Sequence, residues 1–252
     1  MSGHSKWSTI KRQKGATDAR RGTAFTKATN AIIIAARESG GNPEANFKLR
    51  LAIESAKRLN MPKDNIEKAI ARATGAVKEG KALETVTYEG FGPGGVGILV
   101  EVVTDNRQRT AQEVRSAFER SGGTLAGPGS VAHLFSPTGE IAVQLKEGFD
   151  SDKVLSAAAD AGAEDVDTDK NEAIIYCRPT DLEKVKEDLS GQGLEIVEAR
   201  ISRKPTLVVK IGDEKMASGV LSLVNKLDDL TDVQKVYANF DIPEEILQKE
   251  VA

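Results

Sequence analysis

The hydrophobic period of this chain changes near residue 82, and that change limits which parts can be helical and which can form sheet. Before it, apolar residues recur at three- and four-residue steps, the spacing that lines one helix face. Ala24, Ala28, Ala31, Ile32 and Ala35 obey this spacing, and Gly40-Gly41 followed by Asn42-Pro43 ends it. A second helix is predicted from about Ala45 to Leu59, with Leu49, Ala52, Ile53, Ala56 and Leu59 on one face. Pro62 suits the first turn of a third, whose apolar face is Ile66, Ala69, Ile70 and Ala73 and which Gly75 stops. Residues 23–75 read as a three-helix unit with alanine-rich faces, residues 1–20 as an extended or partly ordered arm, and residues 76–82 as a linker.

Beyond residue 82 the pattern becomes strand-like. Val86, Tyr88 and Phe91 mark a strand, Gly92-Pro93-Gly94-Gly95 a turn, and Val96–Thr104 a strong strand rich in Val and Ile. Thr104-Asp105-Asn106 offers caps for a helix running to about Ser121, and Val131–Phe135 reads as a short strand. Next come strand Glu140–Leu145, helix Ser151–Ala161, strands Glu164–Asp167 and Ala173–Cys177, helix Asp181–Leu189 and strand Leu194–Ile201. That order, β-α-β-β-α-β, is the ferredoxin-like unit. After Pro205 the chain predicts strand Thr206–Ile211, helix Glu214–Leu227 and strand Val233–Phe240. Joined to residues 96–135, these complete a second such unit, so neither half is left with an unburied face. The expected fold is multidomain: an N-terminal three-helix domain followed by two ferredoxin-like α+β domains, one inserted in the other. The expected boundaries are 1–82, 83–138 plus 205–252, and 139–204.

Charge follows the same division. The formal net charge of −3 is bland, but residues 1–82 hold 17 Lys+Arg against 7 Asp+Glu, and the remainder nets −13. The first 27 residues carry Lys6, Lys11, Arg12, Lys14, Arg20, Arg21 and Lys27 against a single Asp18, with Trp7 among them. Seven cations and one aromatic suit phosphate neutralisation plus one stacking or wedging ring, with a solvated lysine-rich tail as the alternative. This start lacks the apolar run of a secretory signal; a mitochondrial transit peptide is the other reading of a basic, acid-poor segment. Only Trp7, Phe25 and Phe47 are aromatic before residue 82, too few for a base-stacking platform, so backbone and shape recognition is expected.

Other chemistry fails on counting or spacing. One cysteine and two histidines exclude a disulfide framework, thiolate zinc sites and multi-histidine metal sites, and the lone cysteine fits a reducing compartment. Cys177 lies in an apolar strand run, and His133, in Val-Ala-His-Leu-Phe, has no partner in the sequence pattern. Asp165-Val166-Asp167-Thr168-Asp169 resembles a calcium loop, but Lys170 and Tyr176 stand where Gly and Glu are required. The glycines of residues 90–95 are followed by neither Lys-Ser/Thr nor a helix, so they match no nucleotide loop; a tight strand–strand connection is expected, with an anion contact by their backbone amides as the alternative. Arg107 and Arg109 open a helix, where arginine opposes the dipole and a polyanion contact would explain it; two ordinary surface arginines are the alternative.

Several collinear motifs resemble one family. They are Gly3-His4-Ser5-Lys6-Trp7, Phe25-Thr26-Lys27, Asn42-Pro43-Glu44-Ala45-Asn46 and Met61-Pro62-Lys63-Asp64-Asn65-Ile66. Tyr88-Glu89-Gly90-Phe91-Gly92-Pro93-Gly94-Gly95, Thr104-Asp105-Asn106-Arg107, Gly129-Ser130-Val131 and Val233-Gln234-Lys235-Val236-Tyr237 complete the set. Together they span nearly the whole chain and resemble the YebC family. The resemblance implies an N-terminal helical domain, two α+β domains and no catalysis. Its bacterial members are labelled transcriptional regulators that bind DNA, its mitochondrial relatives are translational activators of a cytochrome oxidase subunit, and members have a ribosome-associated role easing elongation through proline-rich stretches. Thr23 stands where many members that this chain resembles carry a further basic residue.

The resulting expectation is a non-enzymatic, cytoplasmic nucleic-acid-binding regulator, a ribosome-associated translation factor. The alternative is a DNA-binding transcriptional regulator, for which helix 62–74 offers Lys63, Asn65, Lys68 and Arg72. No cofactor, metal, membrane or small-molecule substrate is expected, and the partner is ribosomal RNA or DNA. The expected contacts are Lys6, Trp7, Lys11, Arg12, Lys14, Arg20, Arg21, Lys27, Arg107 and Arg109.

Overall fold

The computed structural model describes Trp7 and residues 18–75, 82–145, 151–169 and 171–251; for residues 18–21, 151, 250 and 251 it describes the backbone alone. Three helices come first: α1 (Asp18–Ser39), α2 (Phe47–Arg58) and α3 (Lys63–Ala73). Helix α1 begins five residues before the predicted Thr23. The backbone amide of Leu49 donates to the side-chain oxygen of Asn46, capping α2, and the Asn46 amide donates to the carbonyls of Ala35 and Gly40. One buried asparagine thus ends α1 and starts α2. Ile32, Ile33, Leu49, Ala56, Ile66 and Ala69 share one core, so the predicted faces meet each other.

Two compact units divide the chain. One is Phe135–Pro205, and the other holds the helices together with the remaining strands. In the first, strands β4 (Phe135–Gln144), β5 (Asp165–Thr168), β6 (Glu172–Cys177) and β7 (Glu195–Pro205) alternate with helices α5 (Ser151–Ala161) and α6 (Leu182–Gly191). The sheet order is β5-β6-β4-β7, with antiparallel neighbours throughout. A β-α-β-β-α-β chain gives this order when each helix crosses over one intervening strand. The acidic Asp165–Thr168 run is an edge strand whose turn back to β6 is closed by the Asp169 amide donating to the Glu172 carbonyl at 2.8 Å.

The other unit's sheet has the order β3-β1-β2-β9, built from β1 (Glu84–Phe91), β2 (Gly97–Thr104), β3 (Thr124–Ala126) and β9 (Val233–Ala238). Helices α4 (Arg107–Arg120) and α7 (Glu214–Asp229) pack Val114, Phe118, Val220 and Leu223 onto Ile98, Val100 and Val102. This α+β layer differs in connection from the prediction. Residues 206–211, expected in the sheet beside β2, contribute only β8 (Val209–Lys210), which pairs in parallel with β10 (Phe240–Asp241) in a separate sheet. The inner position belongs to β1, which pairs with β2 over eight residues across the Gly92–Gly95 turn. A hairpin closes a short loop, whereas residues 206–211 would have to reach the sheet across an inserted unit. The turn depends on Gly94 and Gly95, at φ 71° and 76°, where side-chain-bearing residues are strained. The expected strand Val131–Phe135 is also absent: Ala132–Leu134 is a tight helical turn, and the short strand lies earlier, at Thr124–Ala126. Gly90 explains part of this, since a Cβ there would lie 2.5 Å from the Phe118 ring, which packs directly on the strand. Helix α8 (Glu244–Val251) closes the chain.

Candidate nucleic-acid interface

Helix α3 presents the most open polar face of the helical unit. Ile66 and Ala69 turn inward, while Asn65, Lys68 and Arg72, at three- and four-residue steps, share a face pointing elsewhere. Asn65 and Lys68 are exposed, and Arg72 is half-buried with its Nε enclosed and unpartnered. Lys63 stands 87% exposed at the start of the same helix, 3.4 Å from Glu67. Lys57 and Arg58 lie exposed at the end of α2, just before the turn into α3. Other cations serve the fold. Arg50 donates to the carbonyls of Pro43 and Glu44, Lys48 pairs with Glu38, and Arg37 donates to the Leu83 carbonyl.

The predicted contacts fare unequally. Lys6, Lys11, Arg12 and Lys14 lie outside the described residues, as do the side chains of Arg20 and Arg21 in the first turn of α1. Trp7 is 7% exposed and belongs to the apolar core shared by β2, α4 and α7. Lys27 is engaged within the protein. Its ammonium donates to the Asp228 carbonyl at the end of α7 and stands 3.5 Å from the Asp228 carboxylate. A cation at a helix C-terminus is favourable there, and the contact ties α1 to the α+β unit.

Arg107 and Arg109 separate in the structure. Asn106, not Asp105, caps α4, its side-chain oxygen accepting from the Arg109 amide at 3.1 Å. Arg107 is exposed, and its carbonyl accepts from the Tyr88 hydroxyl at 3.4 Å. Arg109, also exposed, is held by carboxylates: its guanidinium donates to Asp232 at 2.5 Å and to Asp105 at 3.2 Å. The hydroxyls of Thr104 and Thr110 donate to the same Asp232 oxygen at 2.9 and 2.6 Å. Burial alone would raise the Asp232 carboxyl; the Thr110, Arg109 and Thr104 donors more than offset it and hold it below the usual carboxylate range. The arginine that opposes the helix dipole therefore answers to a buried carboxylate from the start of β9, which sequence spacing could not show.

Sequence reasoning also missed Glu89. It is 6% exposed, and its carboxylate accepts the amides of Gly129, Val131 and Ala132 at 2.7, 2.7 and 2.8 Å. Burial pushes this carboxyl up, but the three backbone donors bring it below its ordinary value. The signal was an acid inside a glycine-rich strand end, facing a second glycine-proline loop 40 residues on. In the Phe135–Pro205 unit two cations are similarly committed. Arg200 pairs with Glu140 at 2.5 Å, and Lys204 pairs with Asp165 while lying 4.1 Å from the Tyr176 ring centre.

Cys177 is fully buried, and burial, the largest cause, with Asp181 and Glu164 pushes its thiol up to about 11, which suits a core residue and not a nucleophile. Among the described residues no cluster of His, Cys, Asp and Glu is arranged to hold a metal, and no helix is long and apolar enough to cross a membrane.

Residues 5–76 match the family described as the TACO1/YebC N-terminal domain, and residues 83–240 match the TACO1/YebC second and third domain. The chain belongs to the TACO1/YebC family. A TACO1/YebC relative from Dictyoglomus thermophilum is 50% identical over 248 residues, covering 98% of this chain and 99% of its own, and is named a probable transcriptional regulatory protein. One from Syntrophus aciditrophicus, 47% identical over 249 residues and 99% of both chains, carries the same name. The crystal structure of a conserved hypothetical protein from Aquifex aeolicus superposes with a TM-score of 0.84 at 47% identity, covering 92% of this chain and 94% of that one. Membership agrees with a helical domain followed by α+β domains.

Proposed function

We propose that this protein is a non-enzymatic regulator of gene expression that grips duplex nucleic acid by its phosphates, acting in the cytoplasm, with DNA as the target. The observation that carries this reading is the fate of the aromatics. Trp7 is buried, Phe25 packs on the helical core, and Phe47 lies 5.6 Å from the Arg50 guanidinium. Of the three aromatics of residues 1–82, one is buried and two are half-buried, while Lys57, Lys63, Lys68 and Arg107 face solvent. A surface with cations and no free ring suits the phosphates of a duplex, not unstacked bases. The relatives' names as transcriptional regulatory proteins support DNA in particular. In this reading residues 1–82 face phosphate, and the two α+β segments, 83–138 with 205–252 and 139–204, act as separate acidic domains that position them.

A second reading, a ribosome-associated translation factor easing elongation through proline-rich stretches, is favoured by the net −13 of residues 83–252. A chain so acidic outside its helical part suits a target that offers protein surface as well as phosphate. Two measurements decide between them. Duplex DNA binding should weaken with salt at a log–log slope of about −4 to −5 if about five phosphates are contacted. Co-sedimentation with ribosomes at low salt, combined with no DNA binding at physiological salt, would move the assignment to translation. Neither binding would overturn both.

A further inference from the structure

Helix α3 follows α2 after only four residues, 59–62, and the junction between them is fixed. The Met61 amide donates to the Ala56 carbonyl at 3.0 Å and the Asn60 amide to the Lys57 carbonyl at 2.9 Å, with Asn60 at φ 58°. This is the Schellman pattern, which closes a helix on a left-handed residue. Met61, 6% exposed, then anchors the turn in the core that α1 shares with both helices. Two helices joined by so short a turn have the connection of a helix-turn-helix, whose second helix lies in the major groove and reads base edges.

The fold accounts for some polar residues of α3 and not for others. Asp64 lies in the first turn, where the helix dipole favours an acid, and Glu67 stands 3.4 Å from Lys63. Asn65, Lys68 and Arg72 remain, on one flank. Asparagine is a weak helix former that favours caps, yet α3 has no side-chain cap and Asn65 lies exposed inside its first turn. Other asparagines serve the fold: Asn46 and Asn106 cap helices, and Asn239 bonds to Gly97 and Leu207. Arg72 is half-buried with its Nε enclosed and unpartnered, which restricts where its guanidinium can point.

We propose that α3 is a recognition helix for the major groove of B-form DNA, in which Asn65 reads an adenine edge and Arg72 a guanine edge. The Asn65 amide accepts from N6 and donates to N7 of adenine, and the two terminal nitrogens of Arg72 donate to O6 and N7 of guanine. Seven residues of helix rise about 10.5 Å, which is about three base-pair steps. Lys57 and Lys63, exposed on either side of the turn, stand over phosphates. This rests on the DNA-binding reading above and adds sequence selection to it, since phosphate contacts position a protein and base contacts specify its site.

The test is selection of bound duplexes from a random-sequence 20-base-pair DNA pool by the full-length protein, followed by competition binding of the selected duplex against a scrambled one. Wild type should enrich a motif holding an adenine and a guanine about three base pairs apart. Asn65→Ala should lose about 5- to 150-fold of discrimination at the adenine alone. Its affinity for scrambled duplex and its salt slope should stay unchanged, because no charge is lost. Arg72→Lys keeps the charge and should lose discrimination at the guanine alone. A merely structural role would instead weaken every sequence equally. Asn65 is exposed, so its variant should melt with wild type, and that variant decides the matter even if Arg72→Lys is destabilised. The selected sequence as duplex RNA should bind no tighter than scrambled DNA, since the narrow major groove of A-form RNA admits no helix. Duplex binding without an enriched motif, the same motif and discrimination from Asn65→Ala, or equal affinity for the RNA duplex each overturns the proposal and leaves phosphate binding standing. If wild type binds no duplex at all, the DNA-binding reading fails and this proposal with it.

Discussion

Glu89→Ala should destabilise the β1–β3 region by about 3–5 kcal/mol, because one carboxylate organises the whole turn after β3. The side chain is 6% exposed and accepts three amides at 2.7, 2.7 and 2.8 Å. Val131 is fully buried, so its amide would be left without partner or water, at about 1–3 kcal/mol. Gly129 is exposed and Ala132 half-buried, so their amides can turn to solvent; each loses a bond worth about 1 kcal/mol net. Glu89→Gln is the sharper variant. Its amide oxygen can still accept, but its NH2 would face an N–H, so a loss of about 2–3 kcal/mol is expected. Urea unfolding at neutral pH measures the loss, and hydrogen exchange of residues 127–132 localises it. The pH dependence carries a sign. The folded-state carboxyl lies below its ordinary value, so its contribution is complete above about pH 4.3 and disappears as pH falls through the folded value. Wild type should therefore lose more stability on acidification than Glu89→Gln. Variants within about 0.5 kcal/mol of wild type, with residues 127–132 equally protected from exchange, would refute the claim that this carboxylate holds the turn.

Other outcomes follow from the same geometry. Asp232→Ala should cost about 2–4 kcal/mol in urea unfolding, since Arg109 can rehydrate but the buried Thr104 and Thr110 hydroxyls keep only each other and the Asn106 amide and carbonyl. Arg107→Ala should flatten the salt slope of DNA binding by about 0.9, while Arg109→Ala should lower thermal stability and leave that slope unchanged. Lys27→Ala should speed hydrogen exchange at the end of α7 and lower stability by about 1–2 kcal/mol, because the Asp228 carbonyl loses its charged donor. Cys177 should resist iodoacetamide at pH 8 in the native protein and react in urea, its thiol being buried and pushed up to about 11.

Much of this architecture was legible because hydrophobic period is a local property. Ile66, Ala69, Ile70 and Ala73 specify a helix face without knowledge of any other element, and the strand-helix alternation from β4 to β7 implies its sheet order through crossover geometry alone. The connectivity of the other sheet was not legible, since residues 206–211 and 84–91 read equally as strands and only pairing energies choose between them. The two-pair ladder of Val209–Lys210 loses to an eight-pair hairpin. The site divided along the same line. Exposed cations at the end of α2 and along α3 could be anticipated from spacing, whereas Asp232 beside Arg109 and the partners of Lys27 and Glu89 lie 40 to 201 residues away.

The sequence by itself determined where the chain is helical, where it becomes sheet, and that its positive charge is concentrated before residue 82, since each of these depends on residue type and near-neighbour spacing. Tertiary structure alone decided which charged and aromatic residues remain free for a partner. Trp7, Lys27 and Arg109 looked available because composition records a side chain's chemistry but not its surroundings. Folding gave the first an apolar core, the second a helix-end carbonyl and the third a buried carboxylate, while Lys57, Lys63, Lys68 and Arg107 stayed exposed to solvent.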